Sequence, residues 1–238
     1  MNSTNNISMD NELKKLYDEY WPKYQTHIRS SEIGKEAAFP FLIRCPDSYE
    51  MAPKKIMFCG QETLNWYKEG YDNPEVDYHK IRGIYNAFVN TNHGNNSPYW
   101  NFQKRIRNTF PKIGYINNNI VKIGKKYSPG CDDRINDLAL KYFPVIRREI
   151  EILKPDLIIF FTGPNYDFRI KKALGEFYTE HLDKKFECWD RIKFQDTSLP
   201  SAIRLNHPAW IVRNKINDVS LYKQMSEAVC SYIKHFYA

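Results

Sequence analysis

The stretch "KKIMFCGQETLNWY", residues 54–67, decides how the rest of the chain is read. An apolar run, Ile56-Met57-Phe58-Cys59, stops at Gly60 and gives way to an amide, a carboxylate and a hydroxyl, Gln61-Glu62-Thr63, with Trp66 and Tyr67 just behind. A short apolar run closed by glycine is the pattern of a strand buried on both faces. Three further runs share it: "GYINNNIVKI" (114–123), "DLIIFF" (156–161) and "SAIRLN" (201–206), with "RIKFQ" (191–195) a weaker fifth.

Between these runs, apolar residues recur at helical spacing over Asp77–Asn90, Trp100–Phe110, Arg134–Leu153 and Asn217–Phe236. Lys154-Pro155 stops the third of these directly before a strand. Strand alternating with helix predicts an α/β fold: three layers, α/β/α, around a central, mostly parallel sheet of about four strands. A single domain over residues 1–238 is expected, because 238 residues with 42% hydrophobic content can bury one full core. Residues 1–10, rich in Asn and Ser, are expected to be disordered. Residues 11–50 are expected to form a peripheral N-terminal segment, with a helix over 11–28 interrupted by Pro22. The Asn-rich stretch "NTNHGNNSPYW" (90–100) reads as a long loop.

Open parallel sheets bind ligands at the carboxyl ends of their strands, which directs attention to "GQET", "NNNIVK", "TGPNYD" and "NHPAW". Taken singly, each has a structural explanation. Glu62 and Thr63 suit the cap of a following helix, Asn117 to Asn119 can satisfy loop backbone, and His207 before Pro208 can serve packing. Together they place an acid, an amide able to pair with a base edge and a histidine able to donate to developing negative charge at one rim.

Composition narrows the partners. Thirty-five Lys and Arg against 28 Asp and Glu leave a formal charge of +7, which suits a polyanion but is also ordinary for a soluble protein. The chain is 15% aromatic, with 17 Tyr, a supply of stacking faces as well as of core. Five scattered cysteines without a CxxC pair argue against a disulfide framework, a zinc site or an iron-sulfur cluster, so no metal and no cofactor are expected. A reducing, cytoplasmic setting fits them. The N-terminal residues show no apolar signal region, and the longest apolar run, Leu157 to Phe161, is too short to span a bilayer, so no membrane partner is expected. GxSxG, P-loop and GxGxxG patterns are missing, which removes the usual esterase, kinase and dinucleotide readings. Cys59 lies in an apolar strand, where thiols are inert, and is set aside as a nucleophile.

Four motifs in order resemble one family. "CGQET" is similar to the water-activating motif of the uracil-DNA glycosylase superfamily, best known as GQDPY, and "NHPAW" resembles its HPSP-type motif. "YINNNIVK" looks like the base-recognition strand that reads TNVVK in one branch, and "LKPDLIIFFTGP" like the strand before the family's LG or WG turn. The resemblance covers roughly residues 52–212. The chain departs from the pattern in three places: Glu62 stands where the family has Asp, Thr63-Leu64 replace Pro-Tyr, and Ala209-Trp210 replace the second half of HPSP. The four cysteines of the cluster-binding branch are not supplied either.

The resemblance implies a monomeric, metal-independent DNA glycosylase that hydrolyses the N-glycosidic bond of uracil or a related damaged base flipped out of DNA. The alternative is a catalytically inactive member that binds DNA or a protein on the same rim. The reaction leaves an oxocarbenium-like sugar and an anionic base. Glu62 would then align water beside the sugar, and His207 would donate to the departing base oxygen. Asn119, with Gln61, would hold the base edge, and Trp66, Phe88 or Trp100 would stack on the base. Trp210, just after the HPA turn, falls where the family carries its duplex-penetrating loop. Lys122, Lys125, Lys126, Arg213 and Lys215 are candidate phosphate contacts, with a merely solvated basic face as the plain alternative.

Overall fold

The computed structural model describes residues 8–73, 76–92, 96–214 and 219–238. The helices are α1 Met9–Tyr24, α2 Asp47–Glu50, α3 Tyr78–Asn92, α4 Pro98–Thr109, α5 Asp133–Tyr142, α6 Val145–Leu153, α7 Asp167–Leu174, α8 Pro208–Asn214 and α9 Val219–Phe236. The strands are β1 Lys55–Gly60, β2 Gly114–Asn119, β3 Leu157–Phe160, β4 Phe177–His181, β5 Trp189–Phe194 and β6 Ser201–Leu205. They form one mixed sheet in the order β2-β1-β3-β6-β5-β4. β2, β1, β3 and β6 run parallel, and the pairs β6/β5 and β5/β4 are antiparallel. The sheet therefore has six strands where about four were expected. The two further strands are a hairpin: β5 takes in the weaker fifth run at 191–195, and its edge partner, Phe177–His181, buries only its first residue and so carries no apolar run to betray it.

The strand period of two sorts each apolar run onto both faces. Met57, Cys59, Ile158 and Phe160 pack with α1, α3, α5 and α6 in one layer, while Ile56, Phe58, Leu157 and Ile159 pack with α4, α8 and α9 in the other. Two corrections follow for the N-terminal part. Ser8 caps α1, its Oγ accepting from the Asn11 N–H at 3.3 Å, so order begins before residue 11; residues 1–7 lie outside the described residues. Segment 11–50 is also not peripheral. Leu13, Leu16, Tyr17, Trp21 and Tyr24 of α1 are buried, and Ala37 to Ile43 is a buried extended run. Pro22 stands inside α1 without ending it, because that buried apolar stripe offsets one missing N–H bond.

The expected helix over 134–153 is two helices, broken at Phe143-Pro144, since proline disfavours helical backbone in the residue before it. The stretch 90–100 belongs largely to α3 and α4, with residues 93–95 outside the described ones. No described helix is long and apolar enough to cross a membrane.

Candidate active site

Parallel pairing delivers the ends of β1, β2, β3 and β6 to one edge of the sheet. The β1–β2 ladder runs past both strands, with Ile120 N–H donating to the Gly60 carbonyl and Val121 N–H to the Gln61 carbonyl, each at 3.0 Å. Gly60 leaves room there for the Asn119 amide, whose terminal atom a Cβ would approach to 2.6 Å and displace. Across the edge, Gln61 Nε2 donates to the Thr162 carbonyl at 3.0 Å, and Gly163 N–H to that of Leu205 at 3.0 Å. These bonds lock the turns after β1, β3 and β6 together.

The turns enclose a cavity of about 320 Å³. Glu62, Asn117, Asn119 and His207 contribute its polar lining, and Phe41, Trp66, Phe88, Tyr99 and Trp100 its aromatic lining. Trp66 meets Phe88 edge to face at 5.0 Å between ring centroids, and Phe88 meets Trp100 at 5.5 Å. The sequence candidates for stacking thus form one wall. Phe41 joins it from the N-terminal segment, 4.8 Å from Trp66, and no local sequence signal connects the two.

Glu62 accepts a hydrogen bond from the Tyr166 hydroxyl. Burial first, and the carboxylate second, hold the Tyr166 phenol above its usual range, so it stays a donor. Behind Glu62 come turns at 64–67 and then a single 3-10 turn, Lys68–Gly70, that starts at Tyr67, so Glu62 caps no helix. His207 is half-buried, and burial, followed by the charge of Arg213, lowers its pKa from 6.5 to about 4. Its Nδ1 accepts from the Ala209 N–H at 3.2 Å, which puts the proton of the neutral ring on Nε2.

The three asparagines divide by strand alternation. Asn118 faces away from the cavity: its Nδ2 donates to Glu149 at 2.9 Å, and its Oδ1 accepts from the Asn119 N–H at 2.8 Å. Asn119 lines the cavity, but in the amide orientation that satisfies both atoms it donates to the Asn118 carbonyl and accepts from Thr63 N–H at 3.3 Å. Asn117, on the same face two residues earlier, is 3% exposed, and neither atom of its amide is hydrogen-bonded among the described residues. Strand period two is what pairs Asn117 with Asn119 on this face.

The basic candidates separate as well. Lys122 is not a phosphate contact: it is 4% exposed and is held at 2.9 Å from Glu149 and 2.8 Å from Asn118 Oδ1. Its position on the inner side of the β2 turn makes it a counter-charge to a carboxylate that is itself fully buried. Lys125 and Lys126 are half-buried beside the rim, and Arg213 is exposed on α8. Lys215 lies outside the described residues. Trp210 is half-buried, packs against the α4/α9 layer and lines a separate cavity with Phe186 and Met225. The exposed apolar residue of α8 is Val212 instead.

All five cysteines are free, and burial pushes the Cys59 thiol well up. Among the described residues, no group of three or more His, Cys, Asp or Glu side chains is placed to hold a metal ion. No protein-family model matches this chain, and no curated protein matches it.

Proposed function

We propose that this protein is a DNA glycosylase that hydrolyses the N-glycosidic bond of uracil or a related damaged base, turned out of DNA into the 320 Å³ cavity. The observation that carries the reading is that one cavity gathers a carboxylate, a neutral imidazole and unpaired amide atoms between aromatic walls. Each group answers a need of the reaction. Glu62, held by Tyr166, lies where a water attacking the sugar can be aligned and positive charge countered. Neutral His207 offers an Nε2–H to the oxygen of the departing base. Removing a single such donor typically costs about 2.7–4 kcal/mol of barrier.

Asn117 offers an unengaged amide edge for the base, with the backbone-held Asn119 amide beside it, and the Trp66/Phe88/Trp100 wall offers the apolar face that a flipped base needs. The motifs that resemble the uracil-DNA glycosylase superfamily support the same reading, as does an α/β sheet whose β1 and β3 run parallel between two helical layers. The chain itself then supplies everything named in the step, with DNA as the partner.

A second reading, an inactive module that binds DNA or protein on this rim, is favoured by the engagement of Asn119's amide with its own backbone surroundings. Incubation with single- and double-stranded oligonucleotides containing uracil, hypoxanthine or hydroxymethyluracil, followed by alkaline cleavage, separates the two. Strand scission above a no-enzyme control, abolished in His207→Ala, supports the glycosylase. No scission with any base supports the binding module.

A further inference from the structure

Among the described residues, three of the four non-glycine residues with positive φ lie in two loops beside the cavity mouth: Asn65 at 51°, Tyr67 at 57° and Tyr127 at 59°. Left-handed backbone is costly for a tyrosine, of order 1–3 kcal/mol, and persists only where the surroundings enforce it. Here the two loops clasp each other. Asn65 Oδ1 accepts from the Tyr127 N–H at 2.5 Å, and Gly124 sits so close that a Cβ would lie 2.4 Å from the Thr63 carbonyl oxygen. Lys126 N–H is tied in turn to the Glu36 carbonyl at 2.7 Å.

This enforced geometry does not bury the tyrosine. Tyr127 is 64% exposed, and Leu64, which lines the cavity, is 55% exposed. Tyr71 meets the Tyr127 ring edge to face at 5.6 Å, which braces it. Lys68 Nζ lies 5.6 Å from the Tyr127 centroid, and Lys126 Nζ lies 4.8 Å from that of Tyr71. An exposed aromatic ring on a held backbone, with Lys68 over it and Lys126 over the Tyr71 ring that braces it, joined to the cavity mouth through Thr63-Leu64-Asn65, offers what an unpaired nucleotide requires: a π face for its base and cations for its phosphate.

We propose that Tyr127, with Lys68 and Lys126, forms a second nucleotide subsite, on which the base next to the flipped one stacks in single-stranded DNA. The inference rests on the reading of the cavity as the site of a flipped base and extends it to the strand that carries that base. The cavity takes one base, and the backbone leaving it passes over Leu64 towards the Tyr127 face. A stacked neighbour there would hold the strand open, so the subsite favours single strands over duplex.

The test is fluorescence anisotropy of the full chain with a labelled single-stranded 12-mer carrying one tetrahydrofuran abasic analogue, alongside thermal unfolding of each variant. Tyr127→Ala is expected to weaken binding about fivefold or more and Tyr127→Phe to leave it unchanged, because stacking needs the ring and not the hydroxyl. Lys68→Gln should flatten the dependence of log Kd on log salt by about 0.7. Wild-type binding that is indifferent to Tyr127→Ala in a folded variant overturns the subsite and leaves the cavity reading standing. A wild-type protein that neither binds this oligonucleotide nor releases uracil from DNA overturns both.

Discussion

Tyr99 and His207 lie face to face, their ring centroids 5.2 Å apart and their planes within 4°. The stack covers one face of the imidazole, the Ala209 N–H occupies Nδ1, and the remaining edge belongs to the cavity. Tyr99 comes from α4 and His207 from the turn after β6, so the pair also fastens one helical layer to the cavity edge of the sheet. This arrangement holds the histidine neutral and oriented before any ligand arrives.

A neutral donor predicts a distinctive pH response. Single-turnover cleavage should show no loss from His207 protonation between pH 8 and 5, and should fall only as pH approaches about 4. His207→Ala should lower the rate by about a hundredfold or more with oligonucleotide affinity nearly unchanged. The folded pKa lies below the unfolded value of 6.5, so the stability His207 contributes is complete above 6.5 and is lost as pH falls towards 4. His207→Asn should therefore lose less of its melting temperature between pH 7 and 5 than the wild type does. A rate that drops with a midpoint near 6.5 would contradict the assignment of a buried neutral ring.

Glu62 and Tyr166 should behave as an acting group and its support. Glu62→Gln is expected to cut single-turnover cleavage by about a hundredfold, and Tyr166→Phe by about tenfold, neither with much change in binding. Full cleavage by a folded Glu62→Gln variant would remove "GQET" from the catalytic assignment.

The two cavity asparagines should differ. Asn117→Ala, which deletes an amide not bonded to its surroundings, should change discrimination between uracil and hypoxanthine by about tenfold or more, read as the ratio of kcat/KM values. Asn119→Ala also unties Thr63, so it should lower melting temperature as well as rate. Equal selectivity in Asn117→Ala and wild type would return the base-reading role to Asn119.

Lys122 supplies a stability test that is independent of activity. Lys122→Met leaves Glu149 buried without its cation and should cost about 3–5 kcal/mol in urea unfolding, only part of it recovered in Lys122→Met with Glu149→Leu, because Asn118 Nδ2 and the Tyr17 hydroxyl then lose their acceptor. Neither variant should alter the salt slope of DNA binding. Arg213→Gln, on the exposed side of α8, should flatten that slope.

The alternation of buried strands with helices, and the rim at the strand ends, were legible in the sequence, because they rest on local signals. Apolar runs closed by Gly60 or by a polar turn mark buried strands, and parallel pairing then brings their ends to one edge whatever the loops do. That logic put Glu62, the Asn117–Asn119 run and His207 at one rim, and only the resemblance singled out Asn119. Tertiary structure decided the rest. An edge strand such as β4 is held by hydrogen bonds to β5 and not by apolar pattern, so its sequence is silent. Whether a lysine meets solvent or Glu149 depends on a turn of β2 and a helix 27 residues further on, which is why Lys122 looked like its neighbours Lys125 and Lys126. The π wall needed Phe41, whose segment is buried by contacts with Lys122 and Gly124 backbone rather than by any periodicity of its own. Local sequence carries local preference, while burial is a sum over distant partners; the cavity's walls, and the choice between Asn117 and Asn119, belong to the second kind.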